Sequence, residues 1–183
     1  MTTPETKHQY LLYQPFLHSD VLHYQESTYA DPYQKVYYEF EIGESGESNL
    51  TLIPNGCVDL LFILTPGGNY MKLFGAGSAA KKIPGFMHSR YFGVRLQPGL
   101  YFSCQGLSLK DIMQHDFMWE EHEECLRIDA DTSRVLHMFF KKLAQTVCFT
   151  DRIEVFQSYI EKQIRIAQVN HLTGYMLSEI NAT

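Results

Sequence analysis

A chain of 183 residues with 45% hydrophobic and 20% charged residues suits one soluble globular domain, or one domain with an appended subdomain. A formal charge of −6 and an isoelectric point near 5.7 argue against this stretch holding nucleic acid by itself, which takes a basic footprint. The polar start MTTPETKHQY has no apolar signal core, and no run approaches the roughly 18 apolar residues a membrane span needs. Cys57, Cys104, Cys125 and Cys148 form no CxxC pair, so thiols in a reducing cytoplasm and no membrane partner are expected.

Residues 1–20 read as irregular, and 21–29 give a weak strand signal. At 34–42 the alternation of Val36, Tyr38, Phe40 and Ile42 with Lys35, Tyr37, Glu39 and Glu41 predicts a half-buried strand. GESGES at 43–48 is a hairpin loop, followed by strands at Leu50–Ile53 and Cys57–Leu64 that split at the Pro54-Asn55-Gly56 corner. The run Cys57–Leu64 is apolar on both faces apart from Asp59, so other segments must cover both sides of it. TPGGN at 65–69 turns the chain into a strand at Tyr70–Phe74, and 75–85 is a small-residue loop. Tyr91–Leu96, with the single charge Arg95, and Leu100–Cys104 complete the β region.

Near residue 107 the period changes. Ser108–Asp111 predicts a short capped helix, and 120–124 is an acidic linker beside Trp119, which is expected to anchor packing. A helix then carries Leu136, Phe139, Phe140 and Leu143. Another runs from Asp151 to Ala167 on Ile153, Phe156, Ile160 and Ile164, and a last one covers His171–Ile180. The apolar stripe of the Asp151 helix must cover the β region or a second copy of the chain. The reading is α+β: an antiparallel β-barrel over 1–106 and a helical subdomain over 107–183.

Chemistry-bearing patterns are sparse. None of the eight histidines falls in an HxH or HxxxH pair, so no metal or other cofactor is expected. GAGS at 75–78 opens no helix and reads as a turn, and GxSxG is absent, so no catalytic residue is assigned and the chain is not read as an enzyme. Asp59 and Arg95 remain. They are either a structural ion pair or the polar fixtures of a ligand pocket walled by Phe62, Phe74, Tyr91 and Tyr101. Strand alternation sends Asp59 and Phe62 to opposite faces, so at most one of those two lines a given cavity.

Pro54, Asn55, Gly56, Asp59, Leu60 and Phe62, then Gly75, then Gly93, Val94, Arg95, Pro98 and Gly99, stand in an order that resembles the N-terminal domain of one group of AraC-type transcriptional regulators. The stretch DRIEVFQSYIEKQIRIA followed by NHLTGYMLSEI is similar to the helical linker of such regulators. The resemblance implies a cupin-like barrel that senses a small-molecule effector or mediates homodimerisation, with gene control as the outcome. It implies DNA contact only through two helix-turn-helix units, about a hundred residues that lie outside this chain. The alternative is a stand-alone cupin-like small-molecule-binding protein or enzyme.

Overall fold

The computed structural model describes residues 16–17, 21–29, 35–43, 49–74, 80–103, 117–120, 130–162 and 165–168. Their strands are β1 (Phe16–Leu17), β2 (Val21–Thr28), β3 (Val36–Ile42), β4 (Asn49–Leu52), β5 (Val58–Thr65), β6 (Gly68–Phe74), β7 (Lys81–Pro84), β8 (Ser89–Leu96), β9 (Leu100–Ser103), β10 (Phe117–Glu120) and β11 (Arg165–Gln168). The helices are α1 (Ala130–Gln145) and α2 (Phe149–Tyr159). The fold is α+β. A six-stranded antiparallel sheet in the order β10-β6-β5-β8-β3-β2 sits beside a β1-β4-β7 sheet and a β11-β9 pair. The expected short helix near 108–113, the helix at 171–180, the GAGS turn, the acidic linker from 121, Cys104 and Cys125 lie outside the described residues, as does the Trp119 side chain.

β5 sits at the centre of the large sheet, and both of its faces are covered. Val58, Leu60 and Phe62 join Phe92, Val94 and Leu96 of β8 and Tyr37 of β3 against Leu136, Phe139, Phe140 and Leu143 of α1 and Ile153, Phe156 and Ile160 at α2. Leu61 and Ile63 face the other way, with Tyr38, Phe40, Ile42, Phe74 and Tyr91, against Leu50 and Leu52 of β4. Each large apolar side chain buried this way contributes about 1.5–3 kcal/mol, which is why this two-sided strand forms the middle of the molecule.

β3 is buried on both faces, not half-buried as its alternation predicts. Lys35, Tyr37 and Glu39 lie under the helices, and Arg152 of α2 reaches down to Glu39, with Nη2 donating to Oε1 at 2.8 Å and Nε to Oε2. The same guanidinium donates to the carbonyls of Thr146 and Val147 just past the end of α1, where the helix dipole favours a cation. Lys35 pairs with Glu161. The charged residues Lys35 and Glu39 are tolerated on a buried face because each meets an opposite charge.

α2 also ends earlier than its apolar period suggests. The Ile160 N–H bonds to the Phe156 carbonyl at 2.9 Å, a turn follows, and 165–168 becomes β11, paired with β9 through Ile166↔Phe102 and Ala167↔Tyr101. An available β9 edge outweighs the helix propensity of those residues. The stretch after 107 therefore supplies β10 to β6 and β11 to β9, as well as both helices. The apolar stripe of α2 is spent on the sheet. None of the described helices is long and apolar enough to cross a membrane.

Candidate functional site

Two glycine turns set the site. At the first, Asn55 Oδ1 accepts the Cys57 N–H at 3.0 Å, and Gly56 takes φ +71°, a left-handed conformation that suits glycine. At the second, Leu100 N–H bonds to Gln97 O at 3.0 Å across Pro98 and Gly99, the latter at φ +87°. Gly56 lies against the Pro98 ring, so the corners meet and fix the register of the strands between them. That register opposes Val58 with Leu96 and Asp59 with Arg95.

Asp59 Oδ1 accepts from Arg95 Nε at 2.9 Å and from the Tyr38 hydroxyl at 3.0 Å. The Arg95 guanidinium also stands 4.9 Å from the centre of the Tyr38 ring, a cation–π distance. Arg95, Asp59 and Tyr38 are 0%, 2% and 0% exposed. Burial pushes the Asp59 carboxyl above its usual range against the opposing pull of Arg95 and Tyr38. Burial alone would lower Arg95, but the Asp59 charge more than reverses that and keeps the guanidinium charged. Burial and then the Asp59 charge hold the Tyr38 phenol well above its ordinary value, so it stays a donor. The result is a fixed, water-excluded polar lock in an otherwise apolar layer, suited to holding geometry and not to moving protons.

Gly93 explains how Tyr38 reaches the lock. The two residues are directly opposed across β3 and β8, and the Tyr38 ring lies over the bare Gly93 backbone. A Cβ at Gly93 would stand 2.1 Å from Tyr38 Cζ. The ring cannot easily retreat, because it stacks on Phe40 at 6.4 Å and 5° and its hydroxyl is bound to Asp59. Gly93→Ala is therefore expected to cost about 1–3 kcal/mol as an overpacked core site, measured by urea unfolding. The same change in a Tyr38→Ala background should cost far less; equal costs in both backgrounds would show that the ring is not the obstacle.

Of the residues singled out in the sequence, the structure brings Asp59, Arg95, Phe74 and Tyr91 to one face of the large sheet. It does not bring Phe62 or Tyr101 there. Phe62 points to the helices, 4.7 Å from Phe139 ring to ring, and Tyr101 is half-buried in that same helix-side cluster. The four aromatics are therefore not walls of one pocket: strand alternation turns Phe62 away, and Tyr101 stands on β9, outside the large sheet. Tyr91, pushed to about 12 by burial, accepts the Phe86 N–H at 2.8 Å and stacks on Phe40 at 4.7 Å. The residue that sequence reasoning missed is Tyr38, and the signal for it was a glycine in the middle of a strand at 93. Tyr24 of β2 joins the same face, its hydroxyl donating to Glu26 at 2.7 Å.

Cys57 lies beside the lock. Burial first and the Asp59 charge second push its thiol to about 12. At pH 8 the thiol therefore stays protonated and a poor nucleophile. Iodoacetamide labelling with peptide mapping should therefore modify exposed Cys148 while sparing Cys57 until the protein unfolds. Equal native-state rates at the two positions would contradict the buried placement. Among the described residues no group of three His, Cys, Asp or Glu side chains is placed to hold a metal ion. No family model matches the chain, and neither a curated protein nor a solved structure matches it.

Proposed function

We propose that the chain is the effector-sensing and dimerisation module of an AraC-type transcriptional regulator in the cytoplasm, built on a cupin-like β-barrel whose two walls are the large sheet and the β1-β4-β7 sheet. One observation supports this reading above the rest. Six of the twelve motif residues that carry the resemblance come together: the Asn55–Gly56 corner against Pro98, Asp59 on Arg95, and Gly93 beneath Tyr38. The mechanism is a shift between populations of helix placement. β3 carries Tyr38 on the face of the lock and Glu39, its neighbour in sequence, on the face that anchors Arg152 of α2. An effector that alters the packing around Tyr38 therefore acts on the strand that holds the helices.

A small-metabolite thermal-shift screen followed by hydrogen exchange tests the sensing part. A stabilising compound should slow exchange in α1 and α2 as well as in the strands that carry the lock. Stabilisation with no change in the helices would break the proposed link between the two faces, and a screen without any stabilising compound would count against sensing.

A further inference from the structure

Ion pairs tie α2 to β3 at both ends of the helix. Arg152, in the first turn, binds Glu39, and Glu161, just past the helix end, binds Lys35 at the start of β3. Lys35, Glu39 and Arg152 are buried, and Glu161 is half-buried. The pairs have opposite sense, since the strand supplies the cation in one and the anion in the other. Lys35 and Glu39 share a face of the strand, and four residues of strand span about 13 Å. Arg152 and Glu161 are separated by nine residues, which at the helical rise also span about 13 Å. α2 therefore lies antiparallel to β3 with matching charge spacings. Its rotation needs a further device, because nine residues of unbroken helix make about two and a half turns and would point Glu161 away from Arg152. The chain leaves the helix before that. The N–H groups of Ile160 and Glu161 both bond to the Phe156 carbonyl, at 2.9 and 3.1 Å, and this closing turn brings Glu161 back to the strand.

We infer that these two pairs form a clamp that selects one axial position and one rotation of α2 on β3, so that helix and strand move as one body. The layer between them, Ile153, Phe156 and Ile160 on Tyr37 and Phe92, is apolar and attracts without direction. The charges supply the direction. Sliding α2 toward the start of β3 carries Arg152 from Glu39 toward Lys35, like onto like. Sliding it the other way carries Glu161 toward Glu39. It also carries Arg152 toward Glu41, which Arg90 already holds, with Nε donating to Oε1 at 2.8 Å. Either slide breaks both pairs at once and leaves buried charges unmatched, the costly outcome for such pairs. Setting register is the best-attested use of a buried ion pair. The clamp stands on this geometry and does not depend on the function proposed above.

Two double variants of the full chain test it, read by amide NMR and hydrogen exchange. Lys35→Met/Glu161→Gln removes one pair without leaving a charge behind, so α2 is held only at Arg152. The amides of Phe156–Tyr159 should then broaden or double and exchange at least about tenfold faster, while those of β5 and β8 keep the wild-type rates. Lys35→Glu/Glu161→Lys restores the pair in the opposite sense, and α2 should return to one sharp set of resonances with near wild-type exchange. A neutral variant whose distal α2 behaves as in the wild type would overturn the clamp, because apolar packing would then suffice. So would a charge swap that loosens α2 as much as the neutral variant does. If the neutral variant unfolds, the swap decides: a folded, sharp α2 supports the clamp, and an unfolded swap overturns it.

Discussion

Replacing Arg95 with Met is expected to cost about 3–5 kcal/mol of folding stability at pH 7.5. The change leaves Asp59, 2% exposed, without the guanidinium bound to its Oδ1, and removes the cation beside the Tyr38 ring. The loss should shrink as pH falls. Burial already holds the Asp59 carboxyl above its ordinary value, and removing Arg95, which pulls it down, raises it further. A carboxyl whose folded value lies above its unfolded one binds a proton on folding, so its contribution to stability falls as pH rises through the folded value. The variant therefore regains part of the deficit as pH drops through its own folded value toward that of the wild type. Urea unfolding followed by Trp119 fluorescence at pH 7.5 and pH 5 reads both effects. A loss below about 1 kcal/mol at both pH values would show a solvated pair and contradict the buried lock. Replacing both partners, Asp59→Leu with Arg95→Met, should recover most of the deficit, because no buried charge then remains unmatched.

Arg152→Leu is the second large effect, again about 3–5 kcal/mol. Here the loss concentrates at the helix–sheet seam. Glu39, 3% exposed, loses both donors, and the carbonyls of Thr146 and Val147 lose theirs at the end of α1. Hydrogen exchange should rise most in α2 and the last turn of α1, while β5 and β8 keep most of their protection. Adding Glu39→Gln should return part of the loss, since a neutral amide is cheaper to bury than an orphaned carboxylate. Uniform exchange across sheet and helices would mean that the helices do not respond as a local unit.

The parts of the fold legible in the sequence were those with a local cause. Cys57–Leu64 had to be covered on both faces because seven of its eight residues are apolar, and it is. The two Gly-containing corners set register locally, which is how Asp59 and Arg95, 36 residues apart, come to oppose each other. What stayed hidden depended on distant partners. Glu39 reads as a solvent-facing residue because the cation that neutralises it lies 113 residues away, and Lys35 has its acid 126 residues away. The end of α2 was misread because Ile164 and Ala167 keep the helical period, while the β9 edge that claims 165–168 is set by tertiary structure. The candidate site was half legible. The acid–base pair stood out, but Phe62 and Tyr101 were grouped with it by aromatic character; strand alternation sends Phe62 to the helix side, and Tyr101 stands there on β9, outside the large sheet.

The proposal that this chain is the sensing half of a DNA-binding regulator is tested by reading its coding frame past the codon for Thr183. An open frame of about a hundred further residues with two helix-turn-helix patterns and a basic charge balance is expected. A stop codon directly after Thr183 would contradict it.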